Sequence, residues 1–181
     1  MNEIEVKILR IDKQAMIRRM EEMGLKKVKD EHQVNTIYDF PDLPLLAKKG
    51  YARVREIQDR LTGQDMAYMT VKIMLSQEKY KIMEEHETLV EDTAAAHGIY
   101  QSLGMIQRKI LIKDRISYQY KNTLIEIDDV EAEEYPFPLM EVETQDETEL
   151  KEIVALLGYT MADTTSLTMT EILAAQSGST K

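Results

Sequence analysis

The 181-residue chain contains no cysteine, which excludes disulfides, thiolate metal sites and a cysteine nucleophile. A reducing cytoplasm is the expected compartment. Histidine is scarce: His32, His86 and His97 stand at no spacing that links them, so a histidine-based zinc centre is not expected. The glycines are isolated, and no Gly-x-x-x-x-Gly-Lys loop is there to cradle phosphates. Nothing supports a Ser-His-Asp triad. No apolar run approaches the roughly 20 residues of a membrane span. The first residues lead straight into a charged segment, so no secretory leader is expected. A basic excess is also missing. The formal net charge is -10, which disfavours nonspecific nucleic-acid binding. It leaves room for a small polyanion in a locally basic pocket, above all one supplied with metal ions.

What the chain has is charge in strand-like alternation. Glu3, Glu5 and Lys7 alternate with Ile4, Val6 and Ile8, and alternation on a strand puts each set on its own face. Arg53-Val54-Arg55, Thr70-Val71-Lys72-Ile73, Glu85-His86-Glu87, Lys113-Asp114-Arg115, Glu126-Ile127-Asp128 and Glu141-Val142-Glu143 repeat the pattern. Such strands are expected to share a concave, charged site.

Between them the punctuation is regular. Asp12 is placed to cap a helix bearing Met16, Ile17, Met20 and Met23, with Gly24 after its end. Strands are expected over 2–10, 33–40, 50–59, 66–75, 80–90, 106–120, 123–130 and 139–144. A short helical turn follows Pro41 and Pro44. Helices are expected from Asp92 to near Gly104, from Asp146 to Gly158, and from about Ser166 to Ala175. Asp146 with Glu149 resembles a capping box. The class is α+β. Hairpin-linked strands charged on one face predict a closed eight-stranded antiparallel β-barrel, charges in the lumen and helices outside. One domain is expected over 1–175, with a polar, disordered tail over 176–181.

The acids Glu3, Glu5, Asp128, Glu141 and Glu143 are the hard-oxygen set preferred by Mg²⁺ or Mn²⁺. The bases Lys7, Arg53, Arg55, Lys72, Lys113 and Arg115 suit several phosphates, the arginines by forked recognition and the lysines as compact charges. Glu85 and Glu87 are expected to orient those bases. His86 falls on the opposite face and is read as structural.

These residues, in this order, resemble the CYTH superfamily of triphosphate tunnel metalloenzymes, which includes class IV adenylyl cyclases, thiamine triphosphatases and inorganic triphosphatases. Glu3-x-Glu5-x-Lys7 resembles the opening signature. Tyr38-Asp39-Phe40-Pro41, Ala52-Arg53-Val54-Arg55, Thr70-Val71-Lys72, Glu85-His86-Glu87, Lys113-Asp114-Arg115-Ile116-Ser117-Tyr118, Ile127-Asp128-Asp129-Val130 and Glu141-Val142-Glu143 follow in sequence. The resemblance implies a tunnel binding triphosphate and a divalent metal. Glu3, Glu5, Asp128, Glu141 and Glu143 would hold the metal, and the six bases would grip phosphates. Lys72 or Lys113 would position or deprotonate the attacking water. The chain departs from the pattern at Ile8, at Tyr135-Pro136-Phe137-Pro138 and, relative to cyclase-like members, at Leu167.

The expected activity is metal-dependent hydrolysis of inorganic triphosphate or of a small organic triphosphate such as a nucleoside or thiamine triphosphate. A class IV-type adenylyl cyclase and a non-catalytic polyphosphate-binding module are the alternatives. Loops around 40–50, 60–65 and 131–138 are expected to set substrate choice, and Phe40, Tyr51 and Tyr135 either stack a base or pack. Oligomeric state is not readable from the sequence.

Overall fold

The computed structural model describes residues 3–78, 80–131 and 137–178. Its strands are β1 (Glu3–Leu9), β2 (Lys26–Asp39), β3 (Tyr51–Asp59), β4 (Asp65–Ser76), β5 (Lys81–Val90), β6 (Ile106–Tyr120), β7 (Thr123–Val130), β8 (Leu139–Thr144) and β9 (Thr164–Thr165). The helices are α1 (Lys13–Glu22), α2 (Pro44–Ala47), α3 (Thr93–Ser102), α4 (Glu147–Leu156) and α5 (Met169–Gly178). Among the described residues no helix is long and apolar enough to cross a membrane.

The strand order is β5-β4-β3-β2-β6-β7-β8-β1, and β5 pairs back onto β1 to close the ring. Every pairing is antiparallel. The expected eight-stranded barrel is therefore present, with the two-residue β9 as an addition. β1 shares one edge between two partners: Glu3–Glu5 pair with β5, and Lys7 and Ile8 pair with Thr165 and Thr164.

The apolar outer faces pack under the helices. Met20 of α1 and Leu150, Ile153 and Val154 of α4 bury against Val6, Ile8, Tyr118, Ile125, Ile127, Met140 and Val142. Ala96 and Tyr100 of α3 cover Tyr38, Ala52 and Val54. Ile172 of α5 instead meets Leu139, with Leu9 beside it. Leu9 and Leu139 are register partners that continue the lumen-facing rows of β1 and β8, so α5 packs over one end of the barrel.

Three local expectations change. β2 begins at Lys26, because a register shift between Lys27 and Lys29 interrupts the alternation and hides the strand's charged start. α5 continues through Gly178, into the stretch expected as tail; residues 179–181 lie outside the described residues. Asp146 does cap α4, accepting from Thr148 and Glu149 amides. The Glu149 carboxylate, however, reaches the β6–β7 turn, accepting from the Asn122 amide at 3.2 Å and the Thr123 hydroxyl at 3.0 Å.

The corner before β3 is tight. A Cβ on Gly50 would lie 2.3 Å from the Lys72 carbonyl oxygen, so only glycine lets this turn approach the backbone of a lumen lysine. Asp39 organises the same corner. Buried at the end of β2, it accepts from the Phe40 amide at 2.8 Å, the Leu45 amide at 3.2 Å and the Leu46 amide at 2.9 Å, capping α2. Asp39→Ala is expected to cost about 2–4 kcal/mol, since it removes a cap and strands backbone donors. Asp39→Asn, which keeps one acceptor oxygen, is expected to cost less. Urea unfolding of both variants checks the order.

Candidate functional site

The register carries charge around the lumen in rows. Tyr51 of β3, Lys72 of β4 and Glu85 of β5 are successive partners, as are Arg53, Thr70 and Glu87. Gln33 faces Lys113, and Glu31, Arg115 and Asp128 share a row. Glu126 faces Glu141, which faces Lys7. Glu143 faces Glu5, which faces Lys81.

Each base of the predicted set is held by a carboxylate. Lys7 donates to Glu5 and lies 3.0 Å from Glu141. Arg55 makes 2.9 and 2.8 Å bonds to the two oxygens of Glu87, which also accepts from the Thr70 hydroxyl at 2.6 Å and from Arg53 at 3.5 Å. Lys72 pairs with Glu85 at 2.9 Å. Lys113 donates to Asp128 at 2.5 Å, and Arg115 grips the same carboxylate through two bonds of 2.6 Å. Arg115 also donates to Glu126 and, at 2.8 Å, to Glu141. Glu85 thus pairs with Lys72 and Arg53, and Glu87 with Arg53 and Arg55. The Nε donors of Arg53 and Arg55 are buried without an acceptor among the described residues.

The acids divide. Glu141 and Glu143 come together with Glu126, the three offering carboxylate oxygens within 4.8 Å of one another. Asp128 stands apart from this group, among Lys113 and Arg115. Glu5 is engaged by Lys7 and by Lys81. Glu3 heads β1, and its side chain lies outside the described residues, as do Tyr135 and its neighbours at 132–136. His86 is solvent-facing, 3.1 Å from Glu84, and packs against no core. Tyr51 stands in the lumen with the Arg53 guanidinium 5.5 Å from its ring centre.

The sequence did not single out Glu126 for the acid cluster, nor Lys29, Glu31, Gln33 and Lys81 for the lumen. Lys29 bonds Glu126 at 2.9 Å, and Gln33 donates to Glu31 at 2.5 Å. Parity would have found Lys81, which is separated from Glu85 by two strand periods.

Burial opposes ionisation of Glu5, Glu126, Glu141 and Glu143, and neighbours decide the outcome. For Glu126, Arg115 and Lys29 overcome burial and bring the carboxyl down to about 2. Lys7 and Arg115 do the same for Glu141, which falls well below the ordinary carboxylate range. Lys7 and Lys81 lower Glu5 against burial and the repulsion of Glu141. Glu143 goes the other way. Burial, then the charges of Glu126 and Glu5, push it up to about 8 against the pull of Lys72. Burial disfavours the Lys72 ammonium, yet Tyr51, Glu143 and Glu85 outweigh it and hold the proton more tightly than in an ordinary lysine.

A carboxyl that takes up its proton more readily folded than unfolded stabilises the fold at low pH and loses that contribution as pH rises. For Glu143 the window runs from about 4.5 to about 8. Glu5, Glu126 and Glu141, lowered instead, stabilise above the ordinary carboxylate pKa and lose that contribution on acidification. In metal-free buffer, Glu143→Gln is therefore expected to flatten the fall in melting temperature between pH 5 and pH 8 and to melt above wild type at pH 8. Thermal melts across that range in the presence of a chelator check it.

The family description for the CYTH domain matches residues 1–167. Among solved structures, the PH1819 protein of Pyrococcus horikoshii OT3 superposes with a TM-score of 0.79 at 20% identity, covering 96% of this chain and 99% of that one. A Vibrio parahaemolyticus protein designated a candidate adenylate cyclase gives 0.74 at 18% identity, over 95% and 97% of the two chains. HpAC1 from Hippeastrum, designated a candidate adenylyl cyclase that reveals a dominant triphosphatase activity, gives 0.68 at 12% identity, over 97% and 95%. No curated protein matches the chain. At these identities the structural likenesses show the fold alone. The family match runs through the charged rows and α1 to α4, and by it the chain belongs to the CYTH family.

Proposed function

We propose that this chain is a divalent-metal-dependent triphosphatase, acting on inorganic triphosphate or a small organic triphosphate. One observation carries the reading. β3 lies four strands from β8 in either direction around the ring, so Arg53 and Arg55, with Nε donors unsatisfied, stand across the lumen from Glu141 and Glu143. One wall offers donors to an anion, and the other offers clustered oxygens to a cation.

Three convergent carboxylates are the donor chemistry Mg²⁺ or Mn²⁺ takes, so the residues fit the ion. Glu126, Glu141 and Glu143 would hold it, with Glu5 and Glu3 adjoining on β1. When bound, the ion supplies charge neutralisation on phosphate oxygens and an activated water. Arg53, Arg55, Lys7, Lys113 and Arg115 would bind the phosphate chain and stabilise charge on it. Lys72, whose ammonium is favoured by Tyr51, Glu143 and Glu85 against burial, would act electrostatically or position the attacking water. Lys113 is the other lysine candidate for orienting water. In hydrolysis the water oxygen bonds to the terminal phosphorus, the bridging P–O bond breaks, the water's proton passes to the leaving phosphate oxygen or to solvent, and orthophosphate leaves with pyrophosphate from inorganic triphosphate or with the organic diphosphate from an organic one. The triphosphatase activity named for the Hippeastrum relative accords with this reading.

With Mg²⁺ or Mn²⁺, orthophosphate release from inorganic triphosphate is expected to exceed cyclic nucleotide formation from ATP. Chromatography of products from triphosphate, ATP, GTP and thiamine triphosphate tests this. Cyclic AMP and pyrophosphate, with triphosphate left intact, would establish the cyclase instead. Binding without turnover of any substrate would establish a binding module. Arg53→Ala and Arg55→Ala are each expected to weaken triphosphate binding about tenfold or more, and monophosphate binding less, since each removes charge-assisted bonds. Calorimetric titration with both anions measures the difference.

A further inference from the structure

The seam between β1 and β5 is the shortest joint of the barrel, with three pairs: Glu3↔Met83, Ile4↔Ile82 and Glu5↔Lys81. Lys81 opens β5 and none of the charged motifs contains it. Its side chain is 12% exposed, and its ammonium donates to both oxygens of Glu5 at 2.8 Å. Glu5 already accepts from Lys7. One carboxylate therefore holds two ammonium groups. On the other side of Glu5 stands Glu143, which makes no ion pair among the described residues.

This sharing has a pattern. Lys113 shares Asp128 with Arg115. Lys72 shares Glu85 with Arg53, which lies 3.8 Å from it. Lys81 shares Glu5 with Lys7. In each case the lysine can leave, because a second cation stays behind and no buried carboxylate is stranded. A flexible stem and compact charge suit such an exchange. Lys81 also sits where an anion would find it. Its charge is felt at Tyr51 and Glu141, and that of Lys72 at Tyr51 and Glu5. Lys7, Lys72 and Lys81 thus converge around Glu5, at the end of the barrel that α5 covers.

We propose that Lys81 is a further phosphate-gripping residue, leaving Glu5 for an oxygen of the bound triphosphate while Lys7 keeps Glu5 paired. The inference rests on the triphosphate reading above, and a metal-free binding assay separates the two.

Inorganic triphosphate is titrated, in chelator, into wild type, Lys81→Met, Lys81→Arg, Glu5→Gln and the Glu5→Gln, Lys81→Met double variant. Loss of one charge-assisted contact is expected to weaken binding about tenfold in Lys81→Met, by a similar factor in the Glu5→Gln background, and Lys81→Arg is expected to retain binding. A residue that only positioned Glu5 would show no effect once Glu5 had lost its charge, and that result overturns the proposal. Equal affinity of wild type and Lys81→Met overturns it as well, while wild-type turnover of triphosphate would leave the function standing. Absence of triphosphate binding and turnover in wild type would remove both. If Lys81→Met gives no cooperative melt, acetylation of the wild-type protein mapped by mass spectrometry decides. Triphosphate is expected to protect Lys81, and unchanged labelling overturns the proposal.

Discussion

Ion pairing across the lumen is the interaction on which this barrel depends. Closing a sheet around its charged face removes edges but takes many charges out of water, a cost of several kcal/mol per ion unless each is paired. Among the described residues every lumen cation meets a carboxylate. Arg115 shows how far this goes: it is 6% exposed and touches Asp128 and Glu126 of β7 and Glu141 of β8. Buried pairs of this kind do little more than offset their own desolvation. The stability of the fold comes instead from the outer face, where α1 and α4 bury one side of the ring and α3 another. The two faces therefore divide the labour, apolar packing holding the barrel and paired charge filling it.

Among the described residues two lumen acids lack an ion pair, Glu31, which accepts from the Gln33 amide, and Glu143. Glu143 has acids as neighbours along β8 and across to β1, and its carboxyl takes up a proton rather than a partner. The same crowding makes the Glu126, Glu141 and Glu143 group chemically distinct from Asp128, which lies close by in sequence and is saturated by Lys113 and Arg115. Register produces this separation. Glu126 is opposite Glu141, whereas Asp128 is opposite Leu139.

Alternation made the barrel legible, because a period of two survives wherever a strand has one apolar and one charged face. β1, β3 and β8 declare themselves in this way. The start of β2 does not: Lys26, Lys27, Lys29, Asp30, Glu31 and His32 are polar on both faces, and the shift after Lys27 breaks the phase. The lumen contributions of Lys29, Glu31 and Gln33 were hidden with it. β9 is two residues long, below any periodic signal. Within the site, the arginines and their glutamates could be read from spacing. Which acids converge could not, because Glu126 and Asp128 share a face and only cross-strand register separates them. Lys81 was obscured by Met83, an apolar residue within the charged row.

A lumen whose cations are all matched projects little positive potential beyond its mouth. The far field is then set by the surface, and the chain carries a net charge of -10. For any polyanionic ligand, a net charge of this sign opposes approach from a distance. Added salt, which screens over about 8–10 Å at 0.10–0.15 M, would then speed the encounter while weakening the bound state. That is the reverse of electrostatic steering, in which salt slows arrival. A net charge of this sign attracts cations instead.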